Sequence, residues 1–239
     1  LSCEMASFAS WSLFGNLAVV TYTTGLNLLL NLFFGPVVNA ARAISVQVQS
    51  AVNQFIQNFQ IALNPQITKS YAHGDYNSTY SLVYRSARFS FFLLMILTIP
   101  IQIEADSILK VWLKTVPEQT STFLRIMMCT GLVYTLSNPL VILAQATGKI
   151  RKYQMIAGGV LLMILPISYV CLKLGLPAYS VFIVHLVLET TDLFVRMLLL
   201  HGMIGMSVRA YIRKVIYVIF PILLFSYIPP FMAYKLLDD

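Results

Sequence analysis

Three groups of residues in this chain have the types and spacing to do chemistry. The first is a row of amides broken by one guanidinium: Asn39, Arg42, Gln49, Asn53, Gln57, Gln60 and Asn64. Wound as a helix at about 100° per residue, these residues fall on one narrow face. Gln47, Ser50, Gln54 and Asn58 widen that face. Val37, Val38, Ile44, Val48, Val52, Phe55, Ile56, Phe59 and Leu63 fill the opposite arc. A guanidinium pairs bidentately with phosphate oxygens, and amides bond hydroxyl-rich groups without demanding one geometry. The competing reading is interhelical glue, since Asn and Gln bond readily across membrane helices.

The second group is His185, Glu189, Asp192 and Arg196, spaced four, three and four, hence stacked on one helix face. Carboxylates inside a membrane span are costly and face a cavity or a partner. The group reads either as a site for a coupling proton or Na+ on Glu189 and Asp192, or as an internal ladder. In the ladder, Asp192 pairs with Arg196 and His185 with Glu189. Both readings stay open at this level. The third group is basic: Lys69, Arg85, Arg88 and Lys149, with Arg151 and Lys152 beside it. It suits anionic headgroups, or a mouth that receives an anionic substrate.

The elements that must position these groups are long apolar helices. Of 239 residues 58% are hydrophobic and only 10% charged, and mean hydropathy is +0.77. Ordinary soluble domains carry about 25% charged residues. A soluble fold this apolar would have too little polar surface for water, so an integral membrane protein is expected. The net charge of +7 does not indicate nucleic acid, because no basic cluster is interleaved with exposed aromatics. Cys3, Cys129 and Cys171 lack metal-ligand spacing, and their odd number suggests reduced structural thiols. P-loop, dinucleotide, HExxH and GxSxG signatures are absent, so neither an enzyme nor a bound cofactor or metal is expected.

A spanning helix needs roughly 20 mostly apolar residues. About seven stretches qualify: Trp11–Phe34, the striped segment from Pro36 to at least Asn64, Tyr80–Ile103, Thr122–Ala146, Tyr153–Leu174, Tyr179–Leu200 and Val215–Leu237. Asn16, Asn27 and Asn31 give the first a polar side. A proline inside a helix frees a carbonyl, so Pro65 predicts a kink or an end, and Asn138-Pro139 a kink. The Ser207–Lys214 run reads as a surface helix leading into the last span, and His73-Gly74-Asp75 as a plain turn. The expected fold class is all-α: a polytopic transmembrane bundle.

Basic residues alternate between sides. Lys69, Arg85, Arg88, Lys149, Arg151, Lys152, Arg196, Arg209, Arg213 and Lys214 fall on the side of Leu1. Lys110, Lys114, Arg125, Lys173 and Lys235 fall on the other, diluted by acids. Ten against five, with Arg42 within the membrane, places the Leu1 side in the cytoplasm.

The run LNLLLNLFFGPVVNAARAISVQVQSAVNQFIQNFQIALNPQITKSYAHGDY, with NPLVILAQATGKIRKYQ, LPISYVCLKLGLPAYSVFIV and FVRMLLL, resembles the polysaccharide transporter (Wzx-type) branch of the MOP flippase superfamily. In particular it resembles lipopolysaccharide-biosynthesis proteins of Bacteroidetes-type bacteria. The resemblance implies a MATE-like half: residues 1–204 as the second of two six-helix bundles, and 205–239 as a surface helix and one further span. The first bundle of the same protein would be the missing partner, and the chain a fragment. The implied function is export of undecaprenyl-pyrophosphate-linked oligosaccharide, an O-antigen or capsule repeat unit, across the bacterial inner membrane by alternating access. Arg42 is the position the resemblance marks for pyrophosphate. A cation-coupled drug antiporter on the same fold, and a non-transporting scaffold for polysaccharide assembly, are the rival readings.

Overall fold

The computed structural model describes residues 2–113 and 115–226. Among them are helices and turns and no strand. Helix α1 spans Ser2–Phe34 and α2 spans Pro36–Ala72. Gly35 separates them at φ 79°, a left-handed conformation that glycine adopts without strain. Pro36 follows at the first turn of α2, where its missing N–H costs nothing. The turn at His73-Gly74-Asp75 leads to α3, Tyr76–Trp112, capped by Asp75, whose carboxylate accepts from the Ser78 amide at 3.0 Å.

Glu104 leaves helical geometry (φ −109°, ψ 29°). The expected end near Ile103 therefore coincides with a break, after which residues 105–112 form a separate helical stretch. Helix α4 is Thr120–Ala146, α5 Ile150–Leu162, α6 Ile164–Lys173 and α7 Ser180–Ile204. Helix α8, Val208–Tyr211, runs directly into a π-helix, Ile212–Ile216, and helix continues to residue 226.

Among the described residues, four helices or helix pairs are long and apolar enough to cross a membrane: Ser10–Phe34, Tyr76–Trp112, Thr120–Ala146 and the α5–α6 pair, Ile150–Lys173. This is a membrane-type helical bundle. Four of the expected seven stretches thus pass on length and apolarity. The striped α2 and the charged α7 do not, because their own amides and ion pairs dilute them. The last expected span is described only to residue 226, and Lys235 with it lies outside the described residues, as does Lys114.

Two further expectations change. Helix α2 does not end at Pro65; it runs through to Ala72. The expected fifth span is two helices that meet at Met163. Pro166 cannot donate to the carbonyl of Leu162, so the ladder is interrupted there. The Ser207–Lys214 run is continuous with the helix that follows, and its Tyr211 is fully buried, donating to the Leu136 carbonyl at 2.8 Å. Cys129 and Cys171 are free and half-buried; the side chain of Cys3 lies outside the description.

Helix α4 is the central element, packed by α2, α3 and α7, while α1 lies on α5, α6 and α2. Two apolar cores result. One gathers α3, the later half of α4 and Tyr211, Val215 and Ile219. The other joins α1, the start of α4, α6 and the start of α7, with the Phe123 and Phe182 rings 4.6 Å apart. Gly25 lets α1 approach α6: a Cβ there would lie 2.4 Å from Leu165 Cδ2. In lipid, apolar burial does not by itself drive helices together, so close packing and interhelical hydrogen bonds do that work. Ser45 donates to the Thr120 carbonyl at 3.0 Å and Gln49 to the Met127 carbonyl at 2.6 Å. Both tie α2 to α4.

Candidate functional site

Beside the second core, whose Tyr22 and Leu161 line it, lies a cavity of about 330 Å³ with many polar side chains in its wall. Five helices build its wall. Asn16 and Tyr22 come from α1, Gln49, Asn53 and Gln57 from α2, Tyr134 and Gln145 from α4, Gln154 from α5, and His185, Glu189 and Arg196 from α7. The amide row and the charged row, far apart in sequence, thus face one space. Gly131 on α4 faces Gln49 and Asn53 across that space, where a Cβ would rest in ordinary contact, 3.5 Å from Asn53 Oδ1.

The charges on α7 are unevenly satisfied. Asp192 is fully buried and paired with Arg196. Arg196 also donates to the Tyr153 hydroxyl at 2.8 Å and lies 5.4 Å from the centre of that ring. That half of the group is a ladder, with Tyr153 as an anchor on α5. Glu189 is buried, lines the cavity and has no hydrogen bond among the described residues. Its nearest basic group is His185 Nε2 at 3.9 Å, too far for a hydrogen bond. His185 is held against Tyr22, ring centres 5.2 Å apart. A buried carboxylate without a donor facing a small polar cavity is suited to accept a proton or a cation. No group of three or more metal-type ligands occurs among the described residues.

Other sequence candidates are placed elsewhere. Arg42 is 8% exposed and turned to α1, where it donates to the Asn27 side chain and, at 3.2 Å, to the Thr23 carbonyl. It does not line the cavity, and its Nε has no partner. Asn39 is half-buried with an unpartnered carbonyl oxygen, and Asn31 is exposed. Gln60 is buried and accepts from Asn138 at 2.6 Å. Gln47, Ser50, Gln54, Gln57 and Asn58 are all exposed. The polar side of α2 therefore divides: one edge is bonded into α1 and α4, and the other looks out of the bundle.

Lys69 shares a second hollow, about 720 Å³, with Asn64 and Thr68 of α2 and Ile142 and Gln145 of α4. Gln145 lines both this hollow and the central cavity. Arg85 and Lys149 are exposed, Arg88 is half-buried, and none lines either space. Tyr22, Tyr134, Gln145, Tyr153 and Gln154 were not legible as site residues. Each is a single polar group in an apolar run, and such a group carries no spacing signal.

Comparison with protein-family models, with curated proteins and with solved structures finds no match for this chain.

Proposed function

We propose that this chain is one helical bundle of an alternating-access membrane transporter. Its cargo is a lipid-linked oligosaccharide on a pyrophosphate, moved from the cytoplasmic leaflet of a bacterial inner membrane. The observation that carries the reading is the outward edge of α2. Gln47, Ser50, Gln54 and Asn58 are exposed on a helix packed among membrane-spanning ones, Gln54 donating only to its neighbour Asn58 at 3.3 Å. Amides at that depth are costly against lipid and need water, sugar hydroxyls or another protein surface. A second bundle facing this edge would enclose a hydrophilic path between two halves, the arrangement alternating access requires. Sugar hydroxyls suit an amide wall. Membrane lipids cover the rest, and nucleic acid has no place in the scheme.

Within the bundle, Glu189 would take the coupling proton or Na+. The bonds of Arg42 to Asn27 and Thr23 would have to open before its guanidinium could meet pyrophosphate. A second reading is supported by Glu189 with Tyr22 and Tyr134 around the cavity: a cation-coupled drug antiporter, which uses aromatic and carboxylate groups.

The test is complementation with the full-length protein in cells lacking their own O-antigen flippase, scored by surface glycan. Wild type restores glycan, Gln54→Leu/Asn58→Leu fails, and Glu189→Gln falls sharply. Export of cationic dyes without glycan rescue would favour the antiporter. Full rescue by the Leu pair would sink the role of the α2 edge.

A further inference from the structure

We propose that Arg209 and Arg213 form a headgroup site for an anionic phospholipid, with the helix below them as the track for its acyl chains. The proposal rests on the membrane character of the bundle and is independent of what the protein transports.

From Val208 to residue 226 the chain is a single helical rod with a π turn at Ile212–Ile216. Two rows run along it. Tyr211, Val215 and Ile219, spaced by four, are buried and point into the bundle. Arg209, Arg213 and Tyr217, also spaced by four, are exposed and point away. The π turn, closed by i→i+5 bonds, keeps residues four and five apart stacked in one row. Val208, Arg209, Ile212, Arg213 and Tyr217 line one hollow on this outer side. Farther along the rod Phe220 and Leu224 are exposed as well, at 61% and 52%. The outer surface is therefore cationic at its start, aromatic next and apolar beyond.

That order matches a phospholipid standing beside a helix: phosphate at the arginines, glycerol and ester at Tyr217, chains over Phe220 and Leu224. Tyrosine favours this depth because its ring is apolar and its hydroxyl is wet. Neither arginine has an ion pair or side-chain hydrogen bond among the described residues. Lys214, next in sequence and also exposed, is already used, its Nζ lying 5.6 Å from the centre of the Tyr84 ring. Two unpaired guanidinium groups one turn apart form a two-pronged donor that fits one phosphate, and they call for an anion. A free peptide or nucleic acid would not explain the apolar continuation below them.

The test is native mass spectrometry of the detergent-solubilised full-length protein, titrated with phosphatidylglycerol or with phosphatidylcholine. Wild type binds phosphatidylglycerol more tightly than phosphatidylcholine. R209Q/R213Q weakens phosphatidylglycerol binding by about 30-fold, the sum of two contacts at roughly 1 kcal/mol each, and leaves phosphatidylcholine unchanged. The control K149Q/K152Q removes two exposed lysines on the same side and keeps wild-type affinity. Three results would overturn the site: equal affinity of R209Q/R213Q and wild type, an equal loss in the lysine control, or displacement of the lipid by equimolar inorganic phosphate. Because both arginines are exposed, R209Q/R213Q should keep its thermal midpoint, which reports folding separately from binding.

Discussion

Helices α2 and α7 both carry more polar side chains than an ordinary span, yet they hold them differently. In α2 the groups are mostly neutral amides. Some reach sideways to backbone or side-chain partners on α4, as Gln49 does to Met127 and Gln60 to Asn138. Others are left exposed on the outer edge. In α7 the groups are charged, and they are paired along the helix and from behind, one oxygen of Asp192 with Arg196 and Arg196 with Tyr153, while Asp192 Oδ1 is buried without a donor. The difference follows from cost. An amide can wait at an edge for water or a partner, whereas a charge needs its counter-charge built in or must open onto a cavity. Glu189 is the exception on α7: it opens onto the cavity, as His185 and Arg196 do, but has no hydrogen bond among the described residues.

The comparison can be broken most severely at the Asp192–Arg196 pair. Arg196→Leu strands Asp192 in a fully buried position and should cost about 3–5 kcal/mol, the range for breaking a buried pair. Thermal melting in detergent should show a large loss. Arg196→Leu/Asp192→Leu should recover most of it, because no buried charge is left alone. A double variant no better than the single one would mean that Tyr153 and Arg196 act together as more than a counter-charge.

On α2 the effect should be smaller. Gln60→Leu removes one interhelical bond to Asn138. Interhelical bonds in membranes contribute about 0.6 kcal/mol on average and at most roughly 1.7, so a modest drop in thermal midpoint is expected. A loss as large as that of Arg196→Leu would erase the distinction between the two helices.

The two edges of α2 can also be separated by labelling. In membranes, cysteine at Asn58 should react with a water-soluble maleimide several-fold faster than cysteine at Ile56, which is buried. Equal protection at both would mean that the outer edge is covered by another surface.

The smallest effect lies at Asp75, in the exposed turn between α2 and α3. Its hydrogen bond from Ser78 holds the carboxyl below the usual carboxylate range. A lowered folded value means the cap contributes in full above the unfolded value of about 3.9 and is lost as pH falls through the still lower folded value. Amide exchange in the first turn of α3, corrected for intrinsic rates, should rise over that window in wild type. Asp75→Asn, which caps without titrating, should show no such rise.

Much of this was legible in the chain. Apolar runs of about 20 residues marked the spans, and Gly35-Pro36 and His73-Gly74-Asp75 marked their ends, because local backbone preference and hydropathy act within a few residues. The spacing of His185, Glu189 and Arg196, four and then seven, placed them on one face for the same reason. What was not legible was direction. Helical periodicity placed Arg42 beside the cavity amides, but the packing of α1 on α2 turned it to Asn27 and Thr23 instead. Of the stop or kink that Pro65 implied, only the stop is excluded, because α2 runs on to Ala72.

The composition and periodicity of this chain determine an all-α membrane bundle with one amide-lined helix and one charged helix, because lipid leaves the backbone few ways to satisfy itself. Which polar groups meet is a matter of how helices far apart in sequence cross. That Asn53, Gln154 and Glu189 share one cavity, that Tyr153 rather than lipid headgroups holds Arg196, and that α2 has a bonded edge and an open edge were decided only when α4 took the centre of the bundle.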